Sequence, residues 1–116
     1  MQPKVKNQNI VVKTATELVV IDVATLNKAQ KVVRALNHPL RKEMIRVIEA
    51  HKELSVEEIQ NKIGIIQSVC SQHLAILRNA SALKVRKLGK QRYYSVDAES
   101  IRTLQTIIFN LSTFAK

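Results

Sequence analysis

Helical apolar spacing from Asp22 to Asn79, strict alternation over residues 83–96, and helical spacing again to the chain end predict a mainly α (α+β) fold. Two helices joined by a glycine turn and followed by a basic hairpin give a winged helix-turn-helix. Its wing is a two-stranded β-hairpin, and its terminal helices are expected to form a dimer interface. At 116 residues one domain is the default. We divide the chain into an N-terminal extension, 1–21, and a winged helix-turn-helix domain, 22–116.

The extension contains "NIVVKT" and "ELVVID", both rich in β-branched residues. They read either as two short strands around a turn near Ala15 and Thr16, or as one strand and an early start of the first helix. Asp22 is an N-cap candidate. Leu26, Ala29, Val33 and Leu36 then recur at helical spacing. In "NHP", Pro39 suits the first position of a second helix, where the missing N–H costs nothing. Leu40, Met44, Val47 and Ile48 supply that helix's stripe, which ends near His51.

"SVEE" is a capping box, with Ser55 as N-cap and Glu58 reaching back. Gly64 ends this short helix, being able to take positive φ. A further helix is expected from Gln67 to Asn79. In "LKVRKLGKQRYYSV", Gly89 sits centrally between alternating strands, with basic residues near the tip. Asp97 caps the last helix. There Ile101, Leu104, Ile108, Leu111 and Ala115 fall at a/d positions, with Ile107 and Phe114 widening the stripe.

The balance of 19 Lys and Arg against 9 Asp and Glu gives a net charge of +10, which points to a polyanionic partner. Lys13, Glu17 and Asp22 interrupt the semi-apolar start, so it is neither a signal peptide nor a membrane span. Nucleic acid is therefore preferred to a membrane. The aromatic residues are Tyr93, Tyr94, Phe109 and Phe114, too few for a stacking platform, which favours duplex over single strands. One cysteine cannot form an internal disulfide and suits a cytoplasmic location.

The charge is not evenly spread. No acidic residue occurs between Ile59 and Val96, a segment that carries Lys62, Arg78, Lys84, Arg86, Lys87, Lys90 and Arg92. Phosphates are the natural counterpart. Within "QSVCSQHLAIL", Ile66, Cys70, Leu74 and Leu77 have core-facing spacing, leaving Gln67, Ser68, Ser71, Gln72 and Ala75 on the outer side. Amides and hydroxyls can read base edges there. Cys70 and His73 stand three apart, as metal ligands often do. Two donors nevertheless fall short of the four of a structural zinc site. The inward Cys70 reads as a small hydrophobe, and His73 as a hydrogen-bonding or phosphate-contacting group.

"ALNHPLRKEMIRVI", "QSVCSQHLAILRNA" and "RKLGKQRYYSV" stand in the order and spacing of three family motifs. Over residues 24–112 the sequence resembles the ArsR-type (arsenic-repressor-like) winged-helix transcription regulators. The matching core of the recognition helix is Ser71, His73, Leu74, Leu77 and Arg78. The resemblance implies a homodimeric repressor that places one recognition helix per subunit in successive major grooves of a two-fold-related operator. It also implies a dimer built from the first and last helices. Metal sensors of the family carry "Glu-Leu-Cys-x-Cys" where this chain reads "ELSVEEI", with Ser55 and Glu57 in place of both thiols. Others use histidines on the last helix, and this chain has neither His nor Cys after His73.

The expected DNA-binding residues are Gln67, Ser68, Ser71, Gln72, His73, Arg78, Lys87, Lys90 and Arg92. The expected dimer residues are Leu26, Ala29, Val33, Ile101, Leu104, Ile108 and Leu111. No metal, no cofactor and no catalytic residue is expected: there is no phosphate loop and no nucleophile beside a base. The effector is unknown. A second reading uses the same basic face to bind RNA or an acidic protein. The amide and hydroxyl face favours duplex DNA, because a phosphate-only binder does not need base-reading groups.

Overall fold

The computed structural model describes residues 9–13 and 18–114. Strands β1 (Ile10–Lys13) and β2 (Leu18–Ile21) pair antiparallel, Ile10 opposite Ile21 and Val11 opposite Val20. The second "VV" stretch is thus a strand and not an early helical turn. Asp22 then starts α1 (Val23–Leu36): its Oδ1 accepts from Ala24 N–H at 3.0 Å and its Oδ2 accepts from Thr25 Oγ1 at 2.8 Å.

Helix α2 (Pro39–His51) carries proline in its first turn, and the imidazole of His38 caps it, Nδ1 accepting from Leu40 N–H at 3.1 Å. The chain leaves α2 through Lys52, whose φ of 69° lies in the left-handed region. Ser55 caps α3 (Val56–Ile63). Its hydroxyl accepts from Glu58 N–H at 3.2 Å, and Glu58 accepts in return from Ser55 N–H at 3.0 Å. Gly64 closes α3 with φ +78°, a conformation that strains any residue bearing a Cβ. Helix α4 (Gln67–Asn79) follows two residues later.

The wing is β4 (Leu83–Leu88) and β5 (Gln91–Val96), joined across Gly89 and Lys90. A third strand, β3 (Leu54–Ser55), pairs with β5, so the sheet order is β3-β5-β4. Two residues are too few to show a period, and β3 has no sequence signature. Helix α5 (Ala98–Phe114) starts beside Asp97, whose Oδ1 accepts from Ser100 N–H at 3.2 Å.

One core ties the five helices and the β3-β5-β4 sheet together. Val32, Met44, Ile48, Ile59, Cys70, Leu74 and Leu77 are buried from four helices, and Leu54, Leu83 and Tyr94 join them from the sheet. Each large aliphatic side chain there contributes roughly 1.5–3 kcal/mol of burial.

One inward assignment changes. Ile66 is 67% exposed, because it is the N-cap of α4 and has extended backbone (φ −74°, ψ 155°). Helical spacing counted back from Cys70 does not apply outside the helix, and Ile65 packs against the core instead. On α1 the inward row is Ala29, Val32 and Ala35, so Val33 lies about 100° round the helix from Val32.

Candidate nucleic-acid interface

The face of α4 opposite the core looks across a cleft to the wing. The cleft has a volume of about 480 Å³. Gln67, Ser71, Ala75, Arg78 and Asn79 form its α4 wall, at spacings of three and four that put them in one helical row. Lys90, Gln91, Arg92 and Tyr94 form the wing wall, and Val56, Glu57 and Gln60 of α3 close one side. Five of the expected residues, Gln67, Ser71, Arg78, Lys90 and Arg92, are thereby brought together.

Ser68 and Gln72 are exposed and lie one residue round α4 from that row. Lys87 is exposed and pairs with Arg92 across the ladder, near the wing tip. Gly89 allows the tip to turn with φ +63°. Ile66 offers no side-chain cap, so the first N–H groups of α4 are left for other acceptors.

His73 stands elsewhere. It is half-buried and turned toward α2, where the Arg41 guanidinium Nη1 lies 3.3 Å from its Nδ1. Its ring centroid is 4.8 Å from that of His38. Burial, then His38, then the Arg41 charge hold the His73 imidazole below its ordinary value. Cys70 is buried in the core, and burial pushes its thiol up, away from the reactive thiolate.

Sequence reasoning left out Gln60, Asn79 and Gln91. Gln91 had a signal: an amide beside the tip glycine in "GKQR". Gln60 and Asn79 had none, since only the packing of α3 and the wing around α4 brings them to the cleft. Glu57 is the one carboxylate among the residues lining the cleft, and it lies just before the acid-free segment begins.

The terminal helices pack on each other beside this unit. Val33 is 47% and Ile108 is 53% exposed, while Leu26 is half-buried. Ala29 is covered inside a single chain, at 4% exposure, and Ile101 and Leu104 pack against the core. Leu111 is in α5, but its side chain falls outside the described ones, and Ala115 lies outside the described residues.

The family's thiol position does not suit a metal here. The Ser55 hydroxyl is buried in its capping bond, and Glu57 faces outward. Among the described residues no group of three or more His, Cys, Asp or Glu comes together. No described helix is long and apolar enough to cross a membrane.

No family model matches the chain. It is 36% identical over 74 residues to a cadmium resistance transcriptional regulatory protein homolog of Staphylococcus aureus, a stretch covering 64% of this chain and 61% of that one. It is 31% identical over 85 residues to a biofilm growth-associated repressor of Xylella fastidiosa, covering 70% of this chain and 74% of the relative. The crystal structure of an ArsR family transcriptional regulator superposes with a TM-score of 0.67 at 13% identity, covering 77% of this chain and 91% of that one. A homodimeric winged helix-turn-helix DNA-binding domain from Mycobacterium bovis, solved in solution, gives 0.63 at 23% identity, covering 78% and 83%. The two solved structures bear on the fold alone, and the repressor match carries the lineage. The chain belongs to the ArsR family of winged helix-turn-helix transcriptional regulators.

Proposed function

We propose that the protein is a homodimeric repressor that binds a two-fold-related duplex operator. The observation that supports this best is the cleft: a row of amide and hydroxyl groups on α4 faces the cations of the wing. Gln67, Ser68, Ser71 and Gln72 read base edges in the major groove, where amides pair bidentately with adenine. Arg78, Lys87, Lys90 and Arg92 hold phosphates, and the uncapped N–H groups of α4 add an anion-accepting end. Exposed Val33 and Ile108 join two copies through α1 and α5, with Leu26 beside them and Ile101 and Leu104 supporting the seam from behind. Residues 22–116 form the working domain, residues 1–21 extend it, and the cytoplasm is the matching compartment. Catalysis has no part in this function.

The test is selection of duplexes from a random library by the purified full chain at physiological salt. The expected outcome is one motif with two-fold symmetry, its half-sites about 34–36 Å apart, one turn of B-DNA. A selection yielding no motif, with RNA or an acidic protein competing duplex away, overturns the reading.

A further inference from the structure

Arg41 joins three helices. From the first turn of α2 its Nε donates to the Ala35 carbonyl, in the last turn of α1, and its Nη1 meets His73 Nδ1 on α4 at 3.3 Å. A guanidinium only donates hydrogen bonds. The contact therefore requires a lone pair on Nδ1, so His73 must be neutral with its proton on Nε2. The neighbouring imidazole is set the same way: His38 Nδ1 accepts from Leu40 N–H and caps α2. The two rings touch, with centroids 4.8 Å apart and planes tilted by 48°.

Among the described residues, no carboxylate acts on the His73 ring. The charged and titratable groups that act on His73 are His38 and Arg41, both from the α2 side. None of α1, α3 or β4, which also pack on α4, brings a group that does so. A proton on His73 would convert the acceptor to a donor and set a second cation against the guanidinium. Among the described residues, no carboxylate acts on His73 to offset either change.

We propose that Arg41 and His38 are positioning residues that hold the recognition helix through neutral His73, and that protonation of His73 releases α4 and weakens sequence-specific binding. The DNA half of this statement rests on the function proposed above; the clamp itself does not. The sign follows from linkage. The folded state disfavours the imidazolium, so it loses stability as the pH falls below about 6.5, where the unfolded chain takes up the proton. Acid ordinarily strengthens DNA binding by adding positive charge. This clamp works in the opposite direction.

The test has two arms. In the first, nitrogen-detected histidine NMR is recorded on the free protein from pH 8 to pH 5. His73 should show the Nε2–H tautomer and titrate below the ordinary range, and Arg41→Met should move its midpoint up. An Nδ1–H tautomer, or a midpoint indifferent to Arg41→Met, overturns the clamp whether or not the protein binds DNA. In the second arm, the duplex recovered from the random library and its scrambled version are titrated at pH 7.5 and 5.5. Their affinity ratio should fall roughly fivefold on acidification, the worth of one net hydrogen bond, and should stay level in His73→Gln. Should His73→Gln fold poorly, Arg41→Met serves, since it leaves His73 titratable but unclamped, and the ratio should again be level. A wild-type ratio that stays constant overturns the proposal. A rise overturns it too, because the imidazolium would then favour the selected duplex over the scrambled one, which a phosphate contact alone cannot do.

Discussion

Arg86 grips Glu53 with two hydrogen bonds, Nε to Oε2 at 3.1 Å and Nη2 to Oε1 at 2.8 Å, while its guanidinium lies 5.0 Å from the centroid of the Tyr93 ring. The Arg86 hydrogen bond holds the Glu53 carboxyl below the usual carboxylate range. One cation of the acid-free segment is thus already matched, and it staples β4 to the approach to β3. Arg86→Ala should leave the salt dependence of DNA binding nearly unchanged. Lys90→Ala should reduce the slope of log K against log salt by about 0.9. Titrations at four salt concentrations check both, and equal flattening by the two variants would show that the Arg86 pair opens on DNA.

Base reading and charge separate in a second comparison. Gln72 is exposed on α4 beside the cleft row, and Ser71 is within the row. Gln72→Ala or Ser71→Ala should cost roughly 1–3 kcal/mol on the selected duplex and little on a scrambled one. Binding curves on both duplexes check this. Equal loss on the two would remove base reading from the outer face of α4.

Cys70 has the opposite character to a sensor thiol. It is buried between Leu74, Leu77 and their neighbours, and its thiol is pushed up by that burial. Native protein should react with a thiol reagent only as fast as it unfolds, whereas denatured protein reacts at once. Cys70→Ala leaves a small cavity and should cost on the order of 1 kcal/mol, without altering the affinity for the selected duplex. Rapid native labelling would contradict the packing.

The helix boundaries were legible because their causes are local. Asp22, Ser55 with Glu58, Pro39 and Gly64 each act within four residues, and each stands at its expected boundary. The tip glycine and the alternation around it similarly revealed the wing. What the sequence hid is tertiary. The two residues of β3 are a strand only because β5 lies beside them. The inward row of α1 depends on how α1 docks against its neighbours, and the stripe of Leu26, Ala29 and Val33 mixes a buried residue with an exposed one. In the site, the α4 row and the wing cations Lys90 and Arg92 were visible, but Gln60 and Asn79 were not. His73 was legible as polar, yet its partner Arg41 is 32 residues away.

The 22–116 domain is expected to fold without the 1–21 extension. Among the described side chains of β1 and β2 none belongs to the core cluster, and Ile10, Val11 and Val20 are exposed. A two-stranded hairpin has little stability of its own. Removing residues 1–21 while keeping Asp22 as the cap should leave a cooperatively folding domain. Its thermal midpoint should shift by less than about 4–8 °C, the equivalent of 1 kcal/mol in a domain of this size. A larger loss would place the hairpin inside the domain.

The dimer is best tested on the side chains a single chain leaves open. Leu104 packs against the core, so a charge there would unfold the monomer and say nothing about association. Val33 on α1 and Ile108 on α5 are apolar and about half exposed. Lysine at either position costs a lone chain little, because the side chain already meets water. In a two-fold interface the same residue faces its copy or that copy's neighbour, so each lysine is buried twice, against an apolar surface or a like charge. Val33→Lys with Ile108→Lys should therefore give a folded monomer by sedimentation, with a helical spectrum close to that of the parent. Binding to the selected duplex should fall to the level of a single half-site, since two recognition helices no longer act together. A double variant that sediments as a dimer would move the interface off α1 and α5. A variant that unfolds in proportion to its loss of mass would show that these residues belong to an obligate core shared by both subunits.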